Sequence, residues 1–132
     1  RFERGKSKGK FTRTDSLSWK DKSWVVGIEI NKESKAYDWN QLKIDRIIND
    51  QVGGKSIVLA LSADNQSFVA FERPADSLTF SIRNDTLFAS NKSYNFSGND
   101  LTSSSRLKVV KAYQEFWHSW RTFHPATKQY GR

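Results

Sequence analysis

The sequence predicts a small α+β domain, mainly antiparallel β, with a short helix after the first hairpin and an amphipathic C-terminal helix. Three observations carry that expectation. Short β-rich runs are separated by Gly, Asn and Asp turn residues. Asp38-Trp39-Asn40-Gln41 has the acid-x-x-Gln spacing of a helix start. Aromatic residues recur at helical spacing from Tyr113 to Phe123.

In chain order, Trp24-Val25-Val26-Gly27-Ile28-Glu29-Ile30 is β-rich and partly alternating, Asn31–Ser34 supplies a turn, and Ser34–Tyr37 returns as a second strand. Asp38 then caps a helix expected to bury Leu42, with Ile44, Ile47 and Ile48 as further candidates. Gly53-Gly54 is a turn, residues 56–61 are an apolar strand, and Phe68–Phe71 answers it until Pro74. The octet Leu61–Phe68 between them is polar enough to be a plain turn or a binding loop. Leu78, Phe80 and Ile82 alternate, Asn84-Asp85 turns, and Leu87-Phe88 opens another strand. Residues 90–105 read as loop with one short strand at Tyr94–Phe96. Tyr113, Phe116, Trp117, Trp120 and Phe123 fall on one face of a helix that Pro125 ends. That face is expected to close over a sheet, the alternative being a membrane surface. No internal repeat is visible.

A chain of 132 residues with five Trp and nine Phe can fill one modest core unaided. The absence of Cys excludes a disulfide frame, a thiolate metal site and a thiol nucleophile. No apolar run is long enough to span a membrane. The net charge of +8 divides as +5 over residues 1–22, −2 over 23–100 and +5 over 101–132. Residues 1–22, with Gly5 and Gly9 among the charges, are expected to be a basic linker. Residues 23–128 are then a single globular domain and 129–132 a tail. The basic ends suit an anionic surface or polyanion, while no specific nucleic acid is expected. The first residue is Arg and no signal segment is present, so a fragment or processed product is expected.

Motifs for chemistry are sparse. His118 and His124 are six apart, about 240° of helical rotation, which keeps them from sharing a metal on one face. His118 is expected to be exposed and His124 packed at the helix end. Val52-Gly53-Gly54-Lys55 lacks the spacing of a phosphate loop, and no Gly-x-Ser-x-Gly elbow occurs. Asp38, Asp45 and Asp64 are the carboxylates a divergent hydrolase would draw on, although Asp38 already reads as a cap and Asp45 as a solvated helix residue. Asn65, Asn84, Asn91 and Asn95 each begin an Asn-x-Ser/Thr triplet. Ser16, Ser77 and Thr86 sit in Asp-Ser/Thr-apolar triplets, the acceptor pattern of bacterial periplasmic O-glycosylation.

The stretches Trp24–Ile30, Lys35-Ala36-Tyr37, Ile48-Asn49-Asp50-Gln51-Val52-Gly53-Gly54 and Trp120–Thr127 together resemble the prokaryotic domain of unknown function 3179 family, in order and spacing, over residues 24–127. The family has no established reaction. Its pattern usually carries Cys-Pro-Leu-Cys-Gly-Ser after the central strand, with a His before the Asn-Asp-x-Val-Gly-Gly stretch, which would suit a metal or redox site. Here the two Cys positions fall on Ser62 and Asn65, the Gly on Gln66, and the His on Asp45, with Ser67 alone kept. The stretch between Phe88 and Leu107 is also shortened or eroded against the family pattern. The resemblance implies the degenerate second copy of a two-domain, periplasmic or membrane-associated envelope protein. No catalytic residue, cofactor or metal follows from it. The leading expectation is a non-catalytic domain supporting its upstream copy or another protein subunit. The alternatives are a polyanion-binding module and a divergent hydrolase.

Overall fold

The computed structural model describes residues 18–132. Trp24–Ile30 (β1) and Glu33–Asp38 (β2) form the first hairpin, followed by a seven-residue helix, Trp39–Asp45 (α1). Ile47–Val52 (β3), Lys55–Leu61 (β4) and Phe68–Glu72 (β5) make an antiparallel meander. A small sheet follows: Ser81–Arg83 (β6), Thr86–Ala89 (β7) and Lys92–Tyr94 (β8). The chain then runs through Val109–Val110 (β9) and Tyr113–Phe116 (β10) into Trp117–Phe123 (α2), and ends with Lys128–Gln129 (β11). Strand orders are β10-β1-β2-β11, β3-β4-β5-β9 and β6-β7-β8. The expected mainly antiparallel α+β architecture is present.

Side-chain alternation stacks these pieces in layers. Val25 and Ala36 face outward onto Trp117 and Trp120 of α2. Val26, Ile28 and Tyr37 face inward onto Ile57, Leu59 and Leu61 of the second sheet. The opposite face of that sheet, Val58, Ala60 and Phe71, packs on Phe80, Leu87 and Tyr94 at the third. Strand β4 is therefore covered on both faces, which is why residues 56–61 are apolar without alternation. Gly27 sits where β1 passes under Trp120; a Cβ there would lie 2.4 Å from the indole ring.

Several expectations are corrected. Helix α1 ends at Asp45 because Arg46 adopts the left-handed conformation (φ 68°) and turns the chain into β3. Ile47 and Ile48 are thus strand residues, as β-branched side chains favour, and Ile44 is exposed. Tyr113–Phe116 is an edge strand of the first sheet, not the first turn of a helix. It pairs from Trp24↔Phe116 to Gly27↔Tyr113, and Phe116 stacks on Trp24 at 4.3 Å. Helix α2 then starts at Trp117, its first amides donating to the carbonyls of Ser23 (2.7 Å) and Asp21 (3.0 Å). Only Trp117 and Trp120 of the aromatic series are buried, and Phe123 is 76% exposed. The short strand expected at Tyr94–Phe96 lies at Lys92–Tyr94.

Both expected boundaries are crossed by contacts. Ser18, assigned to the linker, is buried, and Trp19 packs edge-on against Trp117 at 4.9 Å. At the other end, β11 pairs in parallel with Lys35 and Ala36, and Tyr130 donates its amide to Ala36 O while packing on Tyr37.

Candidate functional site

The turn from Leu61 to Phe68 holds the positions singled out by sequence. Its shape follows from short polar side chains bonding to nearby backbone. Ser62 is 5% exposed. Its amide donates to Ser67 O (2.8 Å), its hydroxyl accepts from the Ser67 amide (2.9 Å) and donates to Asp64 Oδ1 (2.6 Å). Asp64 also accepts from the Gln66 amide at 2.9 Å. The Asn65 amide donates to Ser62 O, and Asn65 takes the positive φ (64°) that Asn tolerates better than most residues.

The turn is held from outside by Arg46, which the sequence reading missed. Its guanidinium donates to Ser62 O (2.5 Å), Asn65 Oδ1 (2.5 Å) and Lys43 O (3.3 Å), while its carbonyl accepts from the Leu61 amide (2.9 Å). The side chain next to Asp45 thus touches both Ser62 and Asn65, so positions distant in sequence meet at one place. The only signal for it was a long cation just past the end of α1, a common feature with many uses. A second support, Asp85, accepts from the Ala63 amide at 2.7 Å and was read only as a turn residue. Arg46, Leu61, Ala63, Ile82, Arg83 and Asp85 line a recess of about 250 Å³ beside the turn.

Electrostatics follow from these bonds. The Ser62 hydroxyl and Gln66 amide hold the Asp64 carboxyl below the usual carboxylate range. Asp38 goes the other way. It caps α1, accepting from the Gln41 amide (3.0 Å) and the Ser18 hydroxyl (2.6 Å), but burial dominates and pushes its carboxyl up. Its Oδ1 is buried with no hydrogen-bond partner among the described residues. Asp45 is exposed and accepts from Gln41 Nε2. The three candidate hydrolase carboxylates therefore serve as cap, surface acceptor and turn fastener. His118 is exposed, while His124 stacks on Trp120 at 3.8 Å, both on the far side of the first sheet from the turn. Ser77 is exposed and Thr86 half-buried; Ser16 lies outside the described residues. Among the described residues no group of three or more His, Cys, Asp or Glu is placed to hold a metal ion, and no helix is long and apolar enough to cross a membrane.

Replacing Arg46 with Ala is expected to cost about 1–2 kcal/mol, the range for bonds to a charged, partly exposed donor. It should also speed amide exchange at Asn65 and Ser67 while leaving β4 protected; unchanged exchange in the turn would remove the fastening role.

Two of the perturbed carboxyls, Asp100 and Asp38, give opposite pH signatures. Asp100, whose side chain is fully buried, is held well below the normal range, chiefly by the Thr102 amide, with Lys92 at 3.3 Å. Its folded pKa is depressed, so its contribution is present above an unfolded value of about 3.9 and is lost as pH falls through the folded one. Asp38 has a raised folded pKa, so its charged form is penalised above that value and the penalty fades on acidification towards about pH 4. Urea unfolding at several pH values should show Asp38→Asn gaining on the parent as pH rises, and Asp100→Asn losing ground. A pH-independent difference for Asp38→Asn would mean its carboxyl is not perturbed.

The profile of the family described as "Protein of unknown function (DUF3179)" matches residues 6–127, reaching into the segment expected to be a linker. No curated protein and no solved structure matches the chain.

Proposed function

The chain belongs to the DUF3179 family, and from that premise we propose that it is a non-catalytic domain with a structural or protein-interaction role. It supports an upstream copy of the same fold or another subunit of a bacterial envelope complex. The observation that carries this reading is the Arg46-fastened turn. Ser62, Asn65 and Asp45 stand where the resemblance implies the family's Cys and His pattern, and the Arg46 guanidinium bonds to the first two. A cation held by a carbonyl and an amide oxygen braces the loop without presenting a nucleophile or a set of metal ligands. The Ser62 hydroxyl is likewise committed to Asp64.

The test is direct. Equilibrium dialysis against Zn²⁺, Mn²⁺ and Fe²⁺, together with ester, phosphoester and glycoside hydrolysis assays, should give neither stoichiometric metal nor turnover. Either one, abolished by Arg46→Ala or Ser62→Ala, would replace this reading with a catalytic one. Glycosylation at Ser77, Thr86 or Ser16 is part of the same envelope proposal, and an unmodified intact mass from the native source would remove it.

A further inference from the structure

Strand β5 has five residues, and all five pair with β4. On its other side β9 pairs only with Ala70 and Phe71 before the chain leaves through Lys111 and Ala112 to become the edge of the first sheet. The alternation of the ladder fixes which backbone groups are affected. The Ser62 amide donates to Ser67 O and the Arg73 amide to Ser56 O, so the odd-numbered residues of this stretch face β4. The Glu72 amide donates to Lys108 O on the opposite side. Period two therefore turns the N–H and C=O of Phe68 towards β9, past the point where the ladder stops. By the same alternation Val109 and Lys111 turn their peptide groups away from β5.

The divergence of the two strands leaves a groove of about 680 Å³, lined mainly by Phe68, Phe71, Phe96, Val110 and Tyr113, with Lys111 along it. Val109 and Tyr113 are 60% and 52% exposed. A strand edge left unpaired among the described residues, beside apolar walls, is the recognition geometry of strand addition, in which main-chain bonds supply affinity and alternate side chains enter pockets.

Charge selects the occupant. Lys111 lines the groove and no acid does; Lys108, next in the chain to Val109 of its wall, is exposed and stands 3.7 Å from Glu72. A second copy of this chain carries +8, and residues 1–17 hold six Lys/Arg against two acids, so neither is complementary in charge to the lysine in the groove. We propose that this groove binds an extended segment of a partner protein, apolar at alternate positions and bracketed by acidic residues, which pairs with the Phe68 edge of β5. The proposal rests on the interaction role above and names its surface.

The experiment uses ¹⁵N-labelled full chain and a small set of Asp-bracketed decapeptides alternating Val, Ile or Phe with Thr. Expected are amide shift changes concentrated at Phe68, Val69 and Val109–Tyr113, saturating below about 1 mM, the weak end of measurable association. N-methylation at alternate peptide amides should abolish them, and Lys-bracketed peptides should bind about tenfold more weakly, as should Lys111→Glu. Shifts elsewhere, equal binding by the N-methylated peptides, or no binding across the set overturns the groove assignment. That failure leaves the non-catalytic reading standing, since metal uptake or turnover alone decides it.

Discussion

Replacing Arg73 with Leu is expected to destabilise the domain by about 3–5 kcal/mol, a cost set by the carbonyls it abandons more than by the charge it removes. Arg73 is 9% exposed, and its guanidinium is spent on four backbone oxygens. Nε donates to Ile57 O (2.9 Å), Nη2 to Asp50 O (2.9 Å), and Nη1 to Asp76 O and Leu78 O (3.0 Å each). It thus ties β3, β4 and the segment after Pro74 into one piece. Leu would fill much of the volume but leave these acceptors without their donor in a site with little room for water. Lys has no planar fork and cannot reach all four, so Arg73→Lys should recover less than half of the loss. Denaturant midpoints at constant slope check this. A cost below about 1 kcal/mol would mean that water takes over the carbonyls.

The second large effect is expected at Trp120, where Ala should cost about 3–5 kcal/mol. The ring is 2% exposed, covers Gly27 of β1, stacks on His124 and donates from Nε1 to Thr127 Oγ1 at 2.8 Å. Removing it opens a void between helix α2 and the first sheet and frees the turn leading to β11. The partner test is Gly27→Ala, whose new Cβ would collide with the same ring. Overpacking of this kind costs about 1–3 kcal/mol. With Trp120 already Ala, Gly27→Ala should be nearly neutral. A strictly additive double mutant would show that ring and strand do not meet.

Legibility in the sequence followed the range of the forces at work. The β1–β2 hairpin, the Asp38 cap and the Gly53-Gly54 turn depend on neighbours a few residues apart, and each was readable. The stretch Tyr113–Phe116 was not, because helical spacing and edge pairing with Trp24–Gly27 compete for the same aromatics, and only the tertiary partner decides. Ile47 and Ile48 failed for a related reason: the left-handed Arg46 ends the helix with a non-Gly residue that carries no sequence mark. Ser62, Asn65 and Asp45 could be located as positions, but the guanidinium that bonds to Ser62 and Asn65 could not. The groove beside β5 was invisible for the same cause, since it exists only because two strands far apart in sequence diverge.

The first sheet has a further consequence for how the chain is made. Its hairpin, residues 24–38, is made well before its edge strands: one side waits for Tyr113–Phe116 and the other for Lys128–Gln129. During synthesis the hairpin therefore travels with both flanks bare, while the three-strand meander after it can assemble locally. Contacts of such long sequence separation are slow to close, and open strand flanks invite pairing between neighbouring nascent chains. Aggregation during expression should thus be most severe for products that stop short of residue 113. Slowing translation would not protect them, because the missing edges lie downstream.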